Sequence, residues 1–199
     1  MNYVEPIRDK KKIEDMKAML AAGKFGDRNA LLFTLGINTA YRISDLRTLK
    51  LKDVLEISRN KVVVRKRLEM KEQKTNKHNS VLISKKLRKS ILEYVIKYFP
   101  MEMVNHHFDR YLFPSRKGED QPLDRVQQWR ILSEAAKRVG LNKIGPHSMR
   151  KTFGYYAWKC GTPPAILMDI YNHSSYEITR RYLGIKQDDK DSVFLNINL

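Results

Sequence analysis

Pro146-His147-Ser148-Met149-Arg150-Lys151-Thr152-Phe153 is the stretch on which the reading of this chain turns. Pro146 suits the first turn of a helix, where its missing N–H costs nothing and its φ is already helical. A helix from Pro146 to Gly161 then sets His147 and Arg150 on one face, a turn apart. Its N-terminus adds unsatisfied backbone N–H groups and partial positive charge, which suit a phosphate. Alone, the pattern is weak. A surface arginine and a capping or core histidine give the same spacing.

Further candidates lie on either side. Downstream, His173 follows Asn172 at a helix–helix junction, where a histidine also serves as a cap. Tyr182 sits in Ile178-Thr179-Arg180-Arg181-Tyr182-Leu183-Gly184. By itself it reads equally as a packing tyrosine. Upstream, Arg42 lies in Thr39-Ala40-Tyr41-Arg42-Ile43-Ser44-Asp45. It pairs with Asp45 as a structural bridge, or is held by Asp45 and aimed at a phosphate, whose oxygens its planar fork can bind in pairs. Lys74 lies in Lys71-Glu72-Gln73-Lys74-Thr75-Asn76-Lys77. A turn lysine is usually solvated, but folded over a substrate it can donate a proton to a leaving hydroxyl.

The bulk properties narrow the partners. The 199 residues suffice for one sizeable core. Lys plus Arg total 39 against 22 for Asp plus Glu, a formal net charge of +17. That surplus favours a polyanion, and nucleic acid is the commonest. No stretch approaches the roughly 20 apolar residues of a membrane span, and Met1 to Lys12 reads as no signal peptide. The single cysteine, Cys160, excludes an internal disulfide and fits a reducing, cytoplasmic setting. Neither a Gly-rich phosphate loop nor clustered metal-ligating side chains is present, so no cofactor and no metal are expected.

Patterning predicts a mainly helical chain with a β insertion. Asp9 caps a helix carrying Ile13, Met16 and Leu20, and Asp27 caps a second through Ile37. Ser44 caps a short helix from Asp45 to Leu49. Lys61 to Leu68 reads as a strand and Ser80 to Ile83 as another, joined in a hairpin with a lysine-rich tip. Ser84 opens a helix closed by Pro100. Residues 101 to 122 read as a loop, followed by a helix from about Asp124 to Val139. Helices from Thr162-Pro163 to Tyr171 and from Ser175 to Leu183 complete the set. Val193 to Leu199 reads as strand-like or short amphipathic.

Taken together, the candidates resemble the catalytic domain of tyrosine recombinases, the phage integrase family. The likeness runs from about Asp9 to Ile185. Asn38 to Leu46 with Leu49 and Asp53 looks like the first-arginine box. Lys74-Thr75-Asn76-Lys77 before Val81-Leu82-Ile83 looks like the lysine hairpin, with Lys71 and Lys77 competing for the role. Pro146 to Phe153 looks like the second box. Ile170 to Ser175, then Thr179 and Tyr182, looks like the third.

The resemblance implies an α+β, mainly α-helical fold with a small antiparallel β-hairpin or sheet. Residues 1–185 would form the catalytic domain and 186–199 a C-terminal tail, exchanged with a neighbouring protomer. It implies a catalytic set of Arg42, Lys74, His147, Arg150, His173 and Tyr182, and a site-specific recombinase or integrase working through a 3′-phosphotyrosyl intermediate. Double-stranded DNA is the implied partner, with a homo-oligomer, up to a tetrameric synapse, assembling on it. The implied origin is a bacterial or phage-borne mobile element. Three departures stand out. Ala40 replaces the usual Gly, Asp45 the usual Glu, and Tyr171-Asn172 the usual Leu-Gly; Asn tolerates the left-handed backbone such a turn needs. Only about eight residues precede the first helix, where family members commonly carry a core-binding domain, so the chain reads as a separately made catalytic domain or as a minimal protein with another job. The competing reading is a non-catalytic DNA-binding regulator on the same fold.

Overall fold

The computed structural model describes residues 4–73, 76–116, 118 and 120–197. The central element is α2, Gly26–Thr39, which packs against α1 (Lys10–Ala21), α5 (Lys85–Tyr98) and α8 (Pro146–Lys159). Leu31, Leu32, Phe33 and Leu35 of α2 are buried in the main core. The approach of α8 is close because Gly36 has no side chain; a Cβ there would lie 2.5 Å from the Met149 sulfur. α7, Arg125–Arg138, closes the core against α1.

Local chemistry sets several helix starts as expected. The Asp9 carboxylate accepts from the Lys11 N–H at 2.8 Å, and the Ser84 hydroxyl from the Leu87 N–H at 3.2 Å. Pro146 occupies the first turn of α8. Asn172, ending α9 (Pro164–Tyr171), adopts the left-handed conformation with φ 52°. α10, Tyr176–Leu183, follows.

Other boundaries differ. α2 begins at Gly26, before Asp27, and the next helix, α3, spans Ile43–Arg47 with Arg42 itself at the N-cap. The run from Lys61 to Leu68 is two strands. β1 (Leu55–Ser58) pairs with β2 (Lys61–Val64), and β3 (Arg67–Lys71) with β4 (His78–Leu82), each pair antiparallel. The turn between β1 and β2 places Arg59 and Asn60 at φ 50° and 60°, the paired left-handed geometry of a tight hairpin. β1 escapes a pattern search because its alternation, Leu55-Glu56-Ile57-Ser58, is only four residues long. β1 is reached through α4, Leu51–Val54.

The predicted loop at 101–122 contains a short helix, α6, Pro100–Val104. Beyond it, Leu112 N–H donates to Leu49 O and Leu51 N–H to Arg110 O, lashing the segment to the body. The tail is a helix, α11, Gln187–Asn196, where a strand-like or amphipathic segment was expected. Asp189 caps it by accepting from the Lys186 N–H at 2.9 Å. No residue of α11 is buried, and Phe194 and Leu195 are 76% and 82% exposed.

Candidate active site

Arg150 is the hub. One turn into α8 from the Pro146 start, its guanidinium is 1% exposed. Its two terminal nitrogens donate to Ala40 O at 2.5 Å and Tyr171 O at 2.7 Å, while the Tyr171 hydroxyl donates back to Arg150 O at 2.8 Å. The Tyr171 ring lies under the guanidinium at 4.5 Å. Ala40 presents its carbonyl because the α2 C-cap is left-handed, φ 59°, a conformation costing a residue with a Cβ about 1 kcal/mol. Burial pulls the Arg150 pKa down and Arg42 pulls the same way, while Glu72 opposes both. An arginine keeps its charge against such pressures.

Arg42 finds a partner other than the expected Asp45. Its Nη1 donates to Glu72 Oε2 at 2.5 Å. The other Glu72 oxygen lies 3.8 Å from Arg150 Nη1 and accepts from the Asn79 amide at 3.3 Å. Asp45 instead accepts from the Gln73 N–H at 3.1 Å, tying α3 to the hairpin mouth. Burial pushes the Asp45 pKa up, the Gln73 N–H resists, and Glu72 adds to the rise. Tyr41, the neighbour of Arg42, donates its hydroxyl to Leu68 O at 2.8 Å and so fixes β3 against the first-arginine segment.

Tyr182 approaches from α10. Its ring lies 5.9 Å from the Arg150 guanidinium, 4.9 Å from the His173 ring and 5.3 Å from Tyr171. His173 is oriented at both ends: its backbone N–H donates to Met168 O, and its Nδ1 is 3.0 Å from the Thr179 hydroxyl on α10. Arg42, Arg150, His173 and Tyr182 therefore converge. His147 is exposed in the first turn of α8, before Arg150. Lys74 lies outside the described residues. Sequence reasoning missed Glu72 and Tyr171. Nothing in the lysine-rich hairpin distinguishes Glu72 from Glu69, and Tyr171 reads as one more apolar helix position. Among the described residues no three His, Cys, Asp or Glu side chains gather as metal ligands.

An extended N-terminal segment braces this region. Ile7 N–H donates to the Thr152 hydroxyl at 2.9 Å, Lys151 to Val4 O at 2.7 Å, and Arg8 to Gly184 O at the end of α10.

The chain is similar to known proteins. Residues 8–188 match the phage integrase family. A probable integrase/recombinase of Bacillus subtilis, YoeC, is 40% identical over 188 residues, covering 94% of this chain and 93% of that one. A tyrosine recombinase XerC of Staphylococcus epidermidis is 27% identical, covering 92% of this chain but 59% of its own length. This chain thus spans about three fifths of the XerC relative. The crystal structure of XerA recombinase superposes with a TM-score of 0.72 at 17% identity, covering 98% of this chain and 64% of XerA. A post-cleavage complex of XerH recombinase with its difH substrate gives a TM-score of 0.70 at 17% identity, covering 94% and 51%. At those identities the likeness concerns the fold, while the family match rests on the sequence itself: the chain belongs to the phage integrase family.

Proposed function

We propose that this member of the phage integrase family, a site-specific DNA recombinase, cuts strands with Tyr182 as its nucleophile. The Tyr182 oxygen attacks the scissile phosphorus, the bond to the 5′-oxygen breaks, and a 3′-phosphotyrosyl ester and a 5′-hydroxyl result. One ester replaces another, so rejoining by the reverse path needs no external energy source. Arg42 and Arg150 bind the non-bridging oxygens, where negative charge grows in the transition state. His147, at the positive end of α8, takes the tyrosine proton. His173 hydrogen-bonds the phosphate, and Lys74 protonates the leaving 5′-oxygen. The observation carrying this reading is the convergence of the Tyr182 ring on Arg150 and His173. The Arg150 Nε adds to it: it is buried with no hydrogen-bond partner among the described residues, a donor that the chain by itself leaves unsatisfied.

A pool of nicked suicide duplexes of randomised sequence tests the reading and finds the site together. The wild-type chain should form a covalent adduct that survives denaturation, and Tyr182→Phe should form none. An adduct persisting in Tyr182→Phe would remove Tyr182 from the role.

The proposed assembly is a homo-oligomer on double-stranded DNA, up to a tetrameric synapse. Residues 1–185 serve as the catalytic domain, and tail residues 186–199 are exchanged with a neighbouring protomer. Exposed Val193, Phe194, Leu195 and Ile197 support the exchange, being apolar side chains without a home in their own chain. Deleting residues 187–199 should lower the stoichiometry on DNA in sedimentation; unchanged stoichiometry would rule the exchange out. The proposed setting is a bacterial cytoplasm, in keeping with relatives from Bacillus and Staphylococcus.

A further inference from the structure

Glu72 is fully buried, and a buried carboxylate persists only where cations or donors compensate it. Here the compensation comes from the site itself. One oxygen accepts from Arg42 at 2.5 Å; the other faces Arg150 at 3.8 Å and the Asn79 amide at 3.3 Å. Asn79 also donates to Ile170 O at 3.2 Å, reaching α9 just before Tyr171. The backbone of Glu72 belongs to the hairpin mouth, its N–H donating to Lys77 O and its carbonyl accepting from Asn76 N–H, both at 2.9 Å. One side chain therefore joins the first-arginine segment, α8 and the mouth of the hairpin between β3 and β4.

Two guanidiniums held side by side in a buried site repel one another, and this opposes the placement that a shared phosphate requires. A carboxylate between them offsets that repulsion while each fork keeps further N–H groups for a ligand. The three charges sum to +1, matching the single negative charge of a phosphodiester. We propose that Glu72 is a positioning residue for strand cleavage, holding Arg42 and Arg150 in the arrangement that one scissile phosphate spans. The proposal rests on the arginines binding that phosphate.

A structural role and a positioning role diverge in a sign. Glu72→Gln keeps the shape and removes a buried negative charge from between the two arginines. Duplex affinity, measured in the Tyr182→Phe background, should therefore hold or tighten. Single-turnover cleavage at saturating nicked duplex, of the sequence recovered with the wild-type chain, should fall about 100-fold, the scale of a small misplacement of catalytic groups. Glu72→Asp, which keeps the charge on a shorter arm, should recover part of the loss. Adding Glu72→Gln to Arg42→Ala should cost little more, because the carboxylate acts through that arginine. Cleavage by Glu72→Gln within twofold of wild type, or a loss explained entirely by weaker binding, would overturn the proposal. Should Glu72→Gln fail to fold by circular dichroism, Asn79→Ala decides: slower cleavage at saturating DNA supports positioning, and a wild-type rate refutes it. Absence of any adduct from the wild-type chain would instead refute the underlying reading of the site.

Discussion

Phe33, on α2, is fully buried in a core that draws side chains from every helix of the body from α1 to α8. Leu183, on α10, is equally buried, but within a cluster whose other buried members are Ala40, Leu167 and Tyr171. The two regions hold different parts of the site. Arg42 and Glu72 are mounted on the body, while Tyr182 rides on α10 and His173 in the junction joining it to α9, two helices of eight residues each beside that small cluster. Arg150, on the shared helix α8, joins them through Ala40 O on one side and Tyr171 O on the other. Opening free energy follows the apolar area that an element buries, so the body, with Arg42 and Glu72, should be the rigid half and the side of α9 and α10, with the proposed nucleophile, the labile half.

The largest effect expected from that contrast is in the body. Phe33→Ala should cost about 3–5 kcal/mol of global stability by urea denaturation. Leu183→Ala removes a side chain just as buried, at a transfer-plus-cavity cost of about 2–5 kcal/mol. It should appear as faster amide exchange in α9 and α10, with a smaller shift in the global midpoint. Equal global losses from the two substitutions would show one cooperative unit and break the contrast.

A smaller effect concerns α11. Burial works against the Asp189 carboxylate, but the Lys159 ammonium and the Lys186 N–H outweigh it and hold the pKa below its ordinary 3.8. A carboxyl with a lowered folded pKa stabilises above its unfolded value and loses that contribution as pH falls through the folded one. The Asp189–Lys159 bridge, 2.7 Å long, should therefore anchor α11 at neutral pH and release it below about pH 3.8. Amide protection in α11 should drop over that range before protection in α2 does. Protection of α11 that tracks α2 throughout would show that Asp189 is not its anchor.

Much of the architecture is legible in the residues alone. Asp9, Ser84 and Pro146 start their helices through contacts within a few residues, so a short window of sequence carries the whole signal. Asn172 works the same way, its left-handed turn depending on its own backbone. The split of Lys61 to Leu68 is not legible. Val64 and Leu68 are both buried and an even number of residues apart, as on one face of a single strand, yet they belong to hairpins whose partners lie on opposite sides in sequence. The helical tail is hidden too, since its cap, Asp189, precedes an apolar run that suits a strand equally well.

The division is sharpest at the site. The amino-acid sequence sets which polar groups the chain carries, the order in which they come, and the turn that puts Arg150 one helical step beyond His147. Those are properties of single residues and of the 3.6-residue repeat. It took the folded chain to pair Arg42 with Glu72 and not with Asp45, and to have Tyr171 clasp Arg150 from both its carbonyl and its hydroxyl. The difference is one of range. Asp45 is near Arg42 in sequence, but its carboxylate is engaged by the Gln73 N–H once Tyr41 has bound β3 to the body. Which carboxylate meets which guanidinium thus depends on where a hairpin lands, and that is settled by the packing of the whole core.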